Sequence, residues 1–522
     1  MTAVTVGQAL VVGLRARGVD TVFGIPGVHT IELYRGLSGS GIRHVTPRHE
    51  AGAGFMADGY ARATGRPGVA FVITGPGLTN ALTPMGQARA DSIPMLVVSG
   101  VNPVATFGRG HGYLHELPDQ QGLAAQVAVR SLRITRAEEV GPALDAAWAV
   151  FTSGRPGPVH IEVPRDVMAW PAEIAPVGAR VEAPEVGADA LEAAVAQIDR
   201  ANRVVLVAGG GALRAASEVA ALAERLDAPV VQTVNARGVM FGHGLSLPCS
   251  PSLNAVRALL EAADCVVAVG TEIGQTDFDM YATGTMPALR GLVRVDISAE
   301  AVATRGCDVG VIGDAAVVLT RLTKRVAAKG GDGAARAAAA REAAWEEIGP
   351  VMRAQVACLE AMRDAVPGAL VVGDSTQPIY AGNLWYDHDV VGGWFNASVG
   401  FGALGYGIPA AIGAAVGRPD RPVICLTGDG GAQFSLAEMM VAVQERLPVT
   451  FVVWNNRGYR EIADSMAGAG TEVIGCDPVP PDFGRLAAAF GMGHLAVGPV
   501  PAEIAAAVAR DRGPRIVEIV VE

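Results

Sequence analysis

Short runs of β-branched and other apolar residues closed by glycine recur along the chain, at 69–73, 95–99, 204–208, 266–270, 423–426 and 449–454, separated by stretches rich in Ala and Leu. Runs that are apolar on both faces belong in sheets covered on both sides, and parallel strands with helical crossovers provide that arrangement. The expected fold class is therefore α/β, with doubly wound parallel sheets. At 522 residues the chain is too long for one ordinary core. Two breaks divide the pattern: 164–190, rich in Pro and Glu, and 327–341, an Ala, Gly, Lys and Arg tract without strand character. Three domains are predicted, at 1–175, 186–345 and 355–522.

The first and third domains share an internal repeat. Val69-Ala-Phe-Val-Ile-Thr-Gly-Pro-Gly77 answers to Val423-Ile-Cys-Leu-Thr-Gly-Asp-Gly430, an apolar strand followed by Thr-Gly-X-Gly. A proline opening the next strand comes 17 residues after Gly77, at Pro94, and 18 after Gly430, at Pro448. The expectation is one βαβ topology used twice, joined by a middle domain of the same class.

Charge and composition remove several function classes. Lys and Arg number 41 against 52 Asp and Glu, a net charge of −11 without a block of like charges, so neither nucleic acid nor a membrane is an expected partner. No apolar run approaches the roughly 18–20 residues of a membrane span. Met1-Thr-Ala-Val-Thr-Val-Gly7 lacks the basic and small-residue pattern of a secretion signal, which makes a cytoplasmic location the expectation. The six cysteines lie at least 16 positions apart and read as buried thiols rather than metal ligands.

Gly428-Asp-Gly-Gly431 falls at the carboxyl end of the 423–426 strand, the end at which open α/β sheets bind ligands. Glycines there let backbone N–H groups approach a phosphate, and Asp429 adds one hard oxygen. Ser435-Leu-Ala-Glu438 has the pattern of a capping box, so a helix starting there would aim its positive end at the same spot. One further strand leads to Asn455 and Asn456, with Asp429 and Asn456 expected to converge. A carboxylate, an amide oxygen and a backbone carbonyl, with phosphate oxygens and water, make an octahedral magnesium site that a diphosphate completes. Taken singly, Gly-Asp-Gly and Asn-Asn are ordinary turns. Their order along the chain, with strand, helix and strand between, is what points to a metal-bridged diphosphate.

These motifs resemble the cofactor signature of the thiamine-diphosphate-dependent enzymes of the acetolactate synthase and 2-oxoacid decarboxylase group. The resemblance covers nearly the whole chain, including Phe23-Gly-Ile-Pro-Gly27, Arg48-His-Glu50, Ala57-Asp-Gly-Tyr-Ala-Arg62, Thr74-Gly-Pro-Gly77 with Thr79-Asn80, and Gly405-Tyr-Gly-Ile-Pro-Ala-Ala411. It implies thiamine diphosphate and Mg2+ as cofactors. It assigns Asp429, Asn456 and the carbonyl of Gly458 to the metal, and Ser375, Thr376 and Gln377, with Gly428, Gly430 and Gly431, to the diphosphate. The carbonyl of Gly402 would accept from the aminopyrimidine, and Leu404 takes the place of the bulky apolar residue that bends the cofactor. Glu50 resembles the glutamate that shares a proton with the pyrimidine ring, which a carboxyl in a dry pocket can do at neutral pH because burial disfavours its isolated charge. In this family the two sides of the site come from different subunits, so a homodimer or homotetramer is implied.

Departures from the family's best-known patterns shape the expected reaction. Val28 stands where pyruvate-type decarboxylases carry an aspartate, and His111 and His115 are not their adjacent histidine pair. His115-Glu116 stands for the Gln-Glu of acetolactate synthases, and Pro378 for their histidine. His115 is either a proton relay at the reacting carbon or an ordinary loop histidine. Glu116, Glu461 and Asp464 either lie near the substrate tail or are plain surface charges. Together, Pro26-Gly-Val-His-Thr30, Leu114-His-Glu-Leu-Pro-Asp119 and Asn456-Arg-Gly-Tyr-Arg-Glu-Ile462 are most similar to decarboxylases of 5-guanidino-2-oxopentanoate. The expected function is decarboxylation of such a 2-oxoacid to the aldehyde and carbon dioxide, with acetolactate-synthase-like carboligation as the alternative. The presence of Glu50, Asp429 and Asn456 together speaks against a relative that keeps the fold without the chemistry. In the middle domain the 204–211 segment ends Ala-Gly-Gly-Gly rather than GxGxxG and lacks a suitably placed acidic residue, so a packing turn is expected there; FAD stays open as an alternative that no residue indicates.

Overall fold

Three sheets of six parallel strands follow one another along the chain, in a computed structural model that describes residues 4–280, 283–510 and 513–521. In the first, β1 (Thr21–Gly24), β2 (Arg43–Val45), β3 (Gly68–Val72), β4 (Met95–Val101), β5 (Arg130–Arg133) and β6 (Pro158–Pro164) lie in the order β2-β1-β3-β4-β6-β5. The middle sheet holds β7 (Val204–Ala208), β8 (Val230–Gln232), β9 (Ser246–Leu247), β10 (Cys265–Val269), β11 (Val293–Asp296) and β12 (Val309–Ile312), in the order β9-β8-β7-β10-β11-β12. The third holds β13 (Leu370–Gly373), β14 (Trp394–Asn396), β15 (Val423–Gly428), β16 (Val449–Asn455), β17 (Gly493–Val497) and β18 (Arg515–Val520), in the order β14-β13-β15-β16-β18-β17. The first and third orders are the same, which is the internal repeat seen as topology.

The apolar runs became strands because both of their faces are covered. Every residue of β3, β4, β7, β10, β15 and β16 is buried, and β-branched side chains pack well on such a pleat. The 327–341 break contains the start of a helix, Gly333–Glu347, whose Ala337, Ala340 and Ala344 are buried. Within 164–190, Pro171–Ala172 pairs antiparallel with Val4–Thr5.

Helix α1 (Glu50–Thr64) is opened by His49, whose ring accepts the N–H of Ala51, and ends on Gly65 in the left-handed conformation. It crosses α4 (Gly407–Gly417) so closely that a Cβ on Gly59 would lie 2.0 Å from the carbonyl oxygen of Ala410. Bare helix backbone thus joins the first and third domains of one chain. Helix α2 (Pro76–Ala90) lies in the first domain, and α3 (Gln377–Leu384) and α5 (Arg460–Gly468) lie in the third.

The expected capping box at 435–438 is not formed. Ser435 Oγ is buried without a partner, and Leu436–Glu438 is a single 3-10 turn ahead of a short helix, Met439–Gln444. Glu438 instead accepts the backbone N–H groups of Arg48 (3.0 Å) and His49 (2.9 Å), just before α1. Two otherwise unpaired backbone donors in another domain win the carboxylate from its own helix. Burial pushes the Glu438 carboxyl up to about 7. Among the described residues, no helix is long and apolar enough to cross a membrane, and all six cysteines are free thiols.

Candidate active site

In the third sheet the chain steps from β13 outward to β14 and returns to β15 on the other side of β13. The carboxyl ends of β13 and β15 therefore flank the crevice where the direction reverses, the usual ligand position of such sheets. Gly373-Asp374 closes β13 and Gly428-Asp429 closes β15, and the two aspartates do different work.

Asp374 faces inward and is fully buried. Its carboxylate accepts the N–H groups of Ser375 (2.8 Å), Gly405 (3.3 Å) and Gly407 (3.0 Å), and so ties the 375–377 turn to the start of α4. Burial pushes it up to about 6, against those three bonds. The turn leaves Thr376 at the N-cap of α3 without a side-chain capping bond, and Ser375 Oγ accepts the hydroxyl of Ser398 at 3.1 Å. A Cβ on Gly430 would come 2.5 Å from the Tyr459 ring, so glycine is what lets that ring lie on the backbone, and one on Gly428 would come 3.1 Å from Thr376 Oγ1, a tight approach.

Asp429 opens the short helix Asp429–Ala432. Its Oδ1 accepts the N–H of Asn456 at 3.3 Å, while Oδ2 is buried and has no hydrogen-bond partner. Burial raises its carboxyl above the usual range, opposed by backbone N–H groups that include that of Gly458. The amide of Asn456 has one end against Gln377 Oε1, at 3.0 Å. Its other end lies 2.9 Å from the Gly458 carbonyl oxygen and 3.2 Å from Asp429 Oδ1. With nitrogen inward this amide donates to both; with oxygen inward, three oxygens meet and only a cation holds them together. A buried carboxylate oxygen without a donor, beside an amide and a carbonyl, suits a hard divalent ion that keeps open positions for phosphate and water.

Gly402 lies in the loop before α4 at φ +74, with open space where a Cβ would stand, and Leu404 is partly exposed beside it. Glu50, the first residue of α1, accepts Asn80 Nδ2 at 3.0 Å, which ties it to α2. Among the described residues no hydrogen bond or ion pair links Glu50, His115 or Glu116 to the cluster of Asp429, Asn456, Gly458 and Gln377 within one chain.

His115 has φ +64, and its ring stands edge-on to His29 with centroids 5.5 Å apart. His29 is buried and its Nδ1 lies 2.9 Å from Thr74 Oγ1. Burial, then Arg165 and His115, lowers the His29 pKa. Two histidines far apart in sequence are thus adjacent in space. Glu116 is occupied locally, accepting the N–H groups of Gly110 (3.1 Å), Gly112 (2.7 Å) and Tyr113 (2.9 Å), which hold its carboxyl below the usual range. A carboxylate so engaged fastens its own loop and has little left for a substrate's charge. Glu461 and Asp464 sit on exposed α5, without an ion-pair partner among the described residues; partial burial and then Asp464 raise the Glu461 carboxyl. Tyr380, on α3 next to the 375–377 turn, has its hydroxyl raised by burial and, less, by Glu461.

In the middle sheet the Ala-Gly-Gly-Gly turn is packed shut. Gly209 and Gly211 donate to the carbonyls of Val269 (2.9 Å) and Gly270 (3.0 Å), and a Cβ on Gly209 would lie 2.3 Å from the latter oxygen.

Sequence reasoning gave no role of their own to Asp374, Asn80 and His29, and only a capping role to Glu438. Asp374 carried a signal, since Gly-Asp closes both β13 and β15; the others depend on contacts between distant segments.

Comparison with known proteins adds three family matches in chain order. They are the thiamine pyrophosphate enzyme N-terminal TPP binding domain over residues 4–123, the central domain over 191–322 and the C-terminal TPP binding domain over 376–519. A "Probable 2-ketoarginine decarboxylase" of Pseudomonas aeruginosa is 43% identical over 508 residues, covering 93% of this chain and 88% of that protein. The acetolactate synthase isozyme 1 large subunit of Escherichia coli is 31% identical over 473 residues, covering 85% and 80%. An acetolactate synthase large subunit of Parasynechococcus marenigrum is 32% identical over 531 residues, covering 93% and 82%.

Proposed function

The chain belongs to the thiamine pyrophosphate enzymes, and from that premise we propose that it decarboxylates a 2-oxoacid with a cationic tail, 5-guanidino-2-oxopentanoate first, to the aldehyde and carbon dioxide. Bound thiamine diphosphate supplies the electron sink for the pair released as the carboxylate leaves. Asp429, Asn456 and the Gly458 carbonyl would hold Mg2+, and the orphaned Asp429 Oδ2 is the observation that carries this assignment. Ser375, Thr376, Gln377 and the backbone of Gly428, Gly430 and Gly431 would hold the diphosphate, with the 375–377 turn kept in place by Asp374. Gly402 and Leu404 would meet the pyrimidine end. Glu50, steadied by Asn80, would hold the proton shared with the pyrimidine ring. His115, backed by His29, would deliver the proton that replaces carbon dioxide on the product carbon. Glu116 would act at one remove, by fastening the loop that presents His115.

The charge of a guanidinium tail calls for a carboxylate partner. Glu461 and Asp464 are supported by the lack of an ion-pair partner among the described residues, Glu461 also by its charge acting on Tyr380 of α3, and both by the resemblance to the 2-ketoarginine decarboxylase. A charged hydrogen bond contributes roughly 1.5–3 kcal/mol, so Glu461→Gln should raise KM for the guanidino acid by about tenfold or more. Neutral 2-oxoacids of similar length should be affected little.

The acetolactate synthase relatives favour a second reading, in which a second 2-oxoacid rather than a proton meets the product carbon. Carbon dioxide release and product analysis across pyruvate, branched, aromatic and guanidino 2-oxoacids separate the two. Preference for the guanidino acid with aldehyde as product supports the decarboxylase; preference for pyruvate with acetolactate as product replaces it.

A homodimer or homotetramer is proposed as the working assembly, since among the described residues no hydrogen bond or ion pair links Glu50 to the Asp429 cluster within one chain. Phe401 (52% exposed), Leu404 (38%) and Phe434 (60%) also leave apolar surface around the Gly402 loop for a partner and the cofactor to cover.

A further inference from the structure

Gln87 lies on α2 in the first domain and is fully buried, yet its amide serves a loop of the third domain. Its Oε1 accepts the N–H of Ala403 at 3.1 Å, and its Nε2 donates to the carbonyl of Val399 at 3.2 Å. One side chain thus grips both sides of the segment that carries Gly402. The ring of Phe401, from the same segment, lies against Gly86, where a Cβ would come 2.6 Å from it.

The orientation of that amide is itself fixed. Gln87 Nε2 also donates to Asp91 at 2.7 Å, and Asp91 receives Arg62 at 2.6 Å. Arg62 is further held by Asp58 at 2.7 Å, and the same carboxylate oxygen accepts the hydroxyl of Tyr406 at 2.6 Å. The Asp58-Gly-Tyr-Ala-Arg62 motif therefore acts as a buried brace running from α1 to the start of α4, with the Gln87 amide as its outer hook. Side chains this deeply buried and bonded to one another hold a restricted arrangement, although the second oxygen of Asp58 is buried without a partner.

The segment needs such a hook. Gly400, Gly402 and Gly405 all have positive φ, at +62, +74 and +80, and glycine-rich backbone loses much freedom on ordering. If the ordering happened only on ligand binding, it would weaken affinity.

We propose that Gln87 is a positioning residue for the cofactor, presetting the 399–404 segment before thiamine diphosphate arrives. The inference rests on the reading above that Gly402 and Leu404 meet the pyrimidine end.

The test uses full-length Gln87→Met, similar in size but without the amide. Hydrogen exchange of the cofactor-free protein reports the segment, and fluorescence titration with thiamine diphosphate at saturating Mg2+ reports affinity. The Ala403 amide should exchange at least about tenfold faster while β15 is unchanged, and Kd should rise roughly tenfold, the scale of two lost hydrogen bonds. The fall in kcat at saturating cofactor should be smaller than the loss of affinity. Gln87→Asn, which keeps the amide but shortens its reach, should move both readouts in the same direction and serves if the methionine variant does not fold. Equal Kd in variant and parent overturns the inference alone, even if melting temperature falls, and so does a raised Kd with unchanged exchange at Ala403. A parent that does not bind thiamine diphosphate overturns the functional reading, and this inference with it.

Discussion

The first and third domains arrange their strands in the same order, yet their reversal points are in opposite states. Between β1 and β3 the first domain is filled by its own side chains. His29 meets Thr74 there, a Cβ on Gly100 would touch both, and Gln120 takes the N–H of Gly75 at 2.8 Å and donates to the Gly100 carbonyl at 2.8 Å. Between β13 and β15 the third domain has glycine backbone and a carboxylate oxygen with nothing to bond. The middle sheet, with a different strand order, also closes its crevice, with backbone. Topology supplies a place for a ligand three times, and the residues at the strand ends decide which place stays open.

Asp429→Ala attacks the open crevice directly and should have the largest effect, abolishing retention of thiamine diphosphate with Mg2+. Calorimetry showing the variant binding as tightly as the parent would remove the metal assignment. Glu50→Gln, in the filled domain, should leave that binding nearly intact and slow turnover by roughly 100-fold or more. Hydrogen exchange at the cofactor's reactive carbon is the readout, and an unchanged rate would clear Glu50 of its role.

The seam between the two domains should show in the pH dependence of stability. The folded-state pKa of Glu438, about 7 against an ordinary 4.5, means that the folded protein binds more protons than the unfolded chain between those values. Its contribution is therefore fully present below pH 4.5 and is lost as pH rises toward 7, by at most about 1.4 kcal/mol per pH unit for one proton. Melting of the cofactor-free protein across this range should have a shallower slope in Glu438→Gln; an identical slope would mean that this carboxyl is not held high. The smallest change belongs to Thr74→Val, which removes one buried bond to His29 and should cost about 1 kcal/mol. Cofactor affinity should not change, and a large loss of it would mean that the first crevice takes part in binding.

Much of this was legible in the sequence because it is local. Doubly apolar runs give parallel strands, and Gly-Asp at the end of one such run with Asn-Asn at the end of the next brings Asp429 to Asn456 whatever lies elsewhere. The capping box at Ser435 failed for a reason no local pattern contains: the partners of Glu438 are the N–H groups of Arg48 and His49, almost 400 residues earlier. Gln87 was hidden in the same way, since it is defined by a segment of another domain, and the His29–His115 pair because the two rings meet only once the first domain has folded. Glu116 stayed open between a group near the substrate tail and a plain surface charge because its sequence does not show the backbone N–H groups of Gly110, Gly112 and Tyr113 that its own loop presents to it.

In the proposed assembly the two like-built domains would contribute opposite halves of one active site, Glu50 from one chain and the Asp429 cluster from another. Mixing chains tests it most directly, with Glu50→Gln and Asp429→Ala proteins dissociated, combined in equal amounts and reassociated. Random pairing gives half the dimers one intact site out of two, so activity should recover to about a quarter of the parent's. Activity no greater than that of the two variants assayed separately would contradict the shared site.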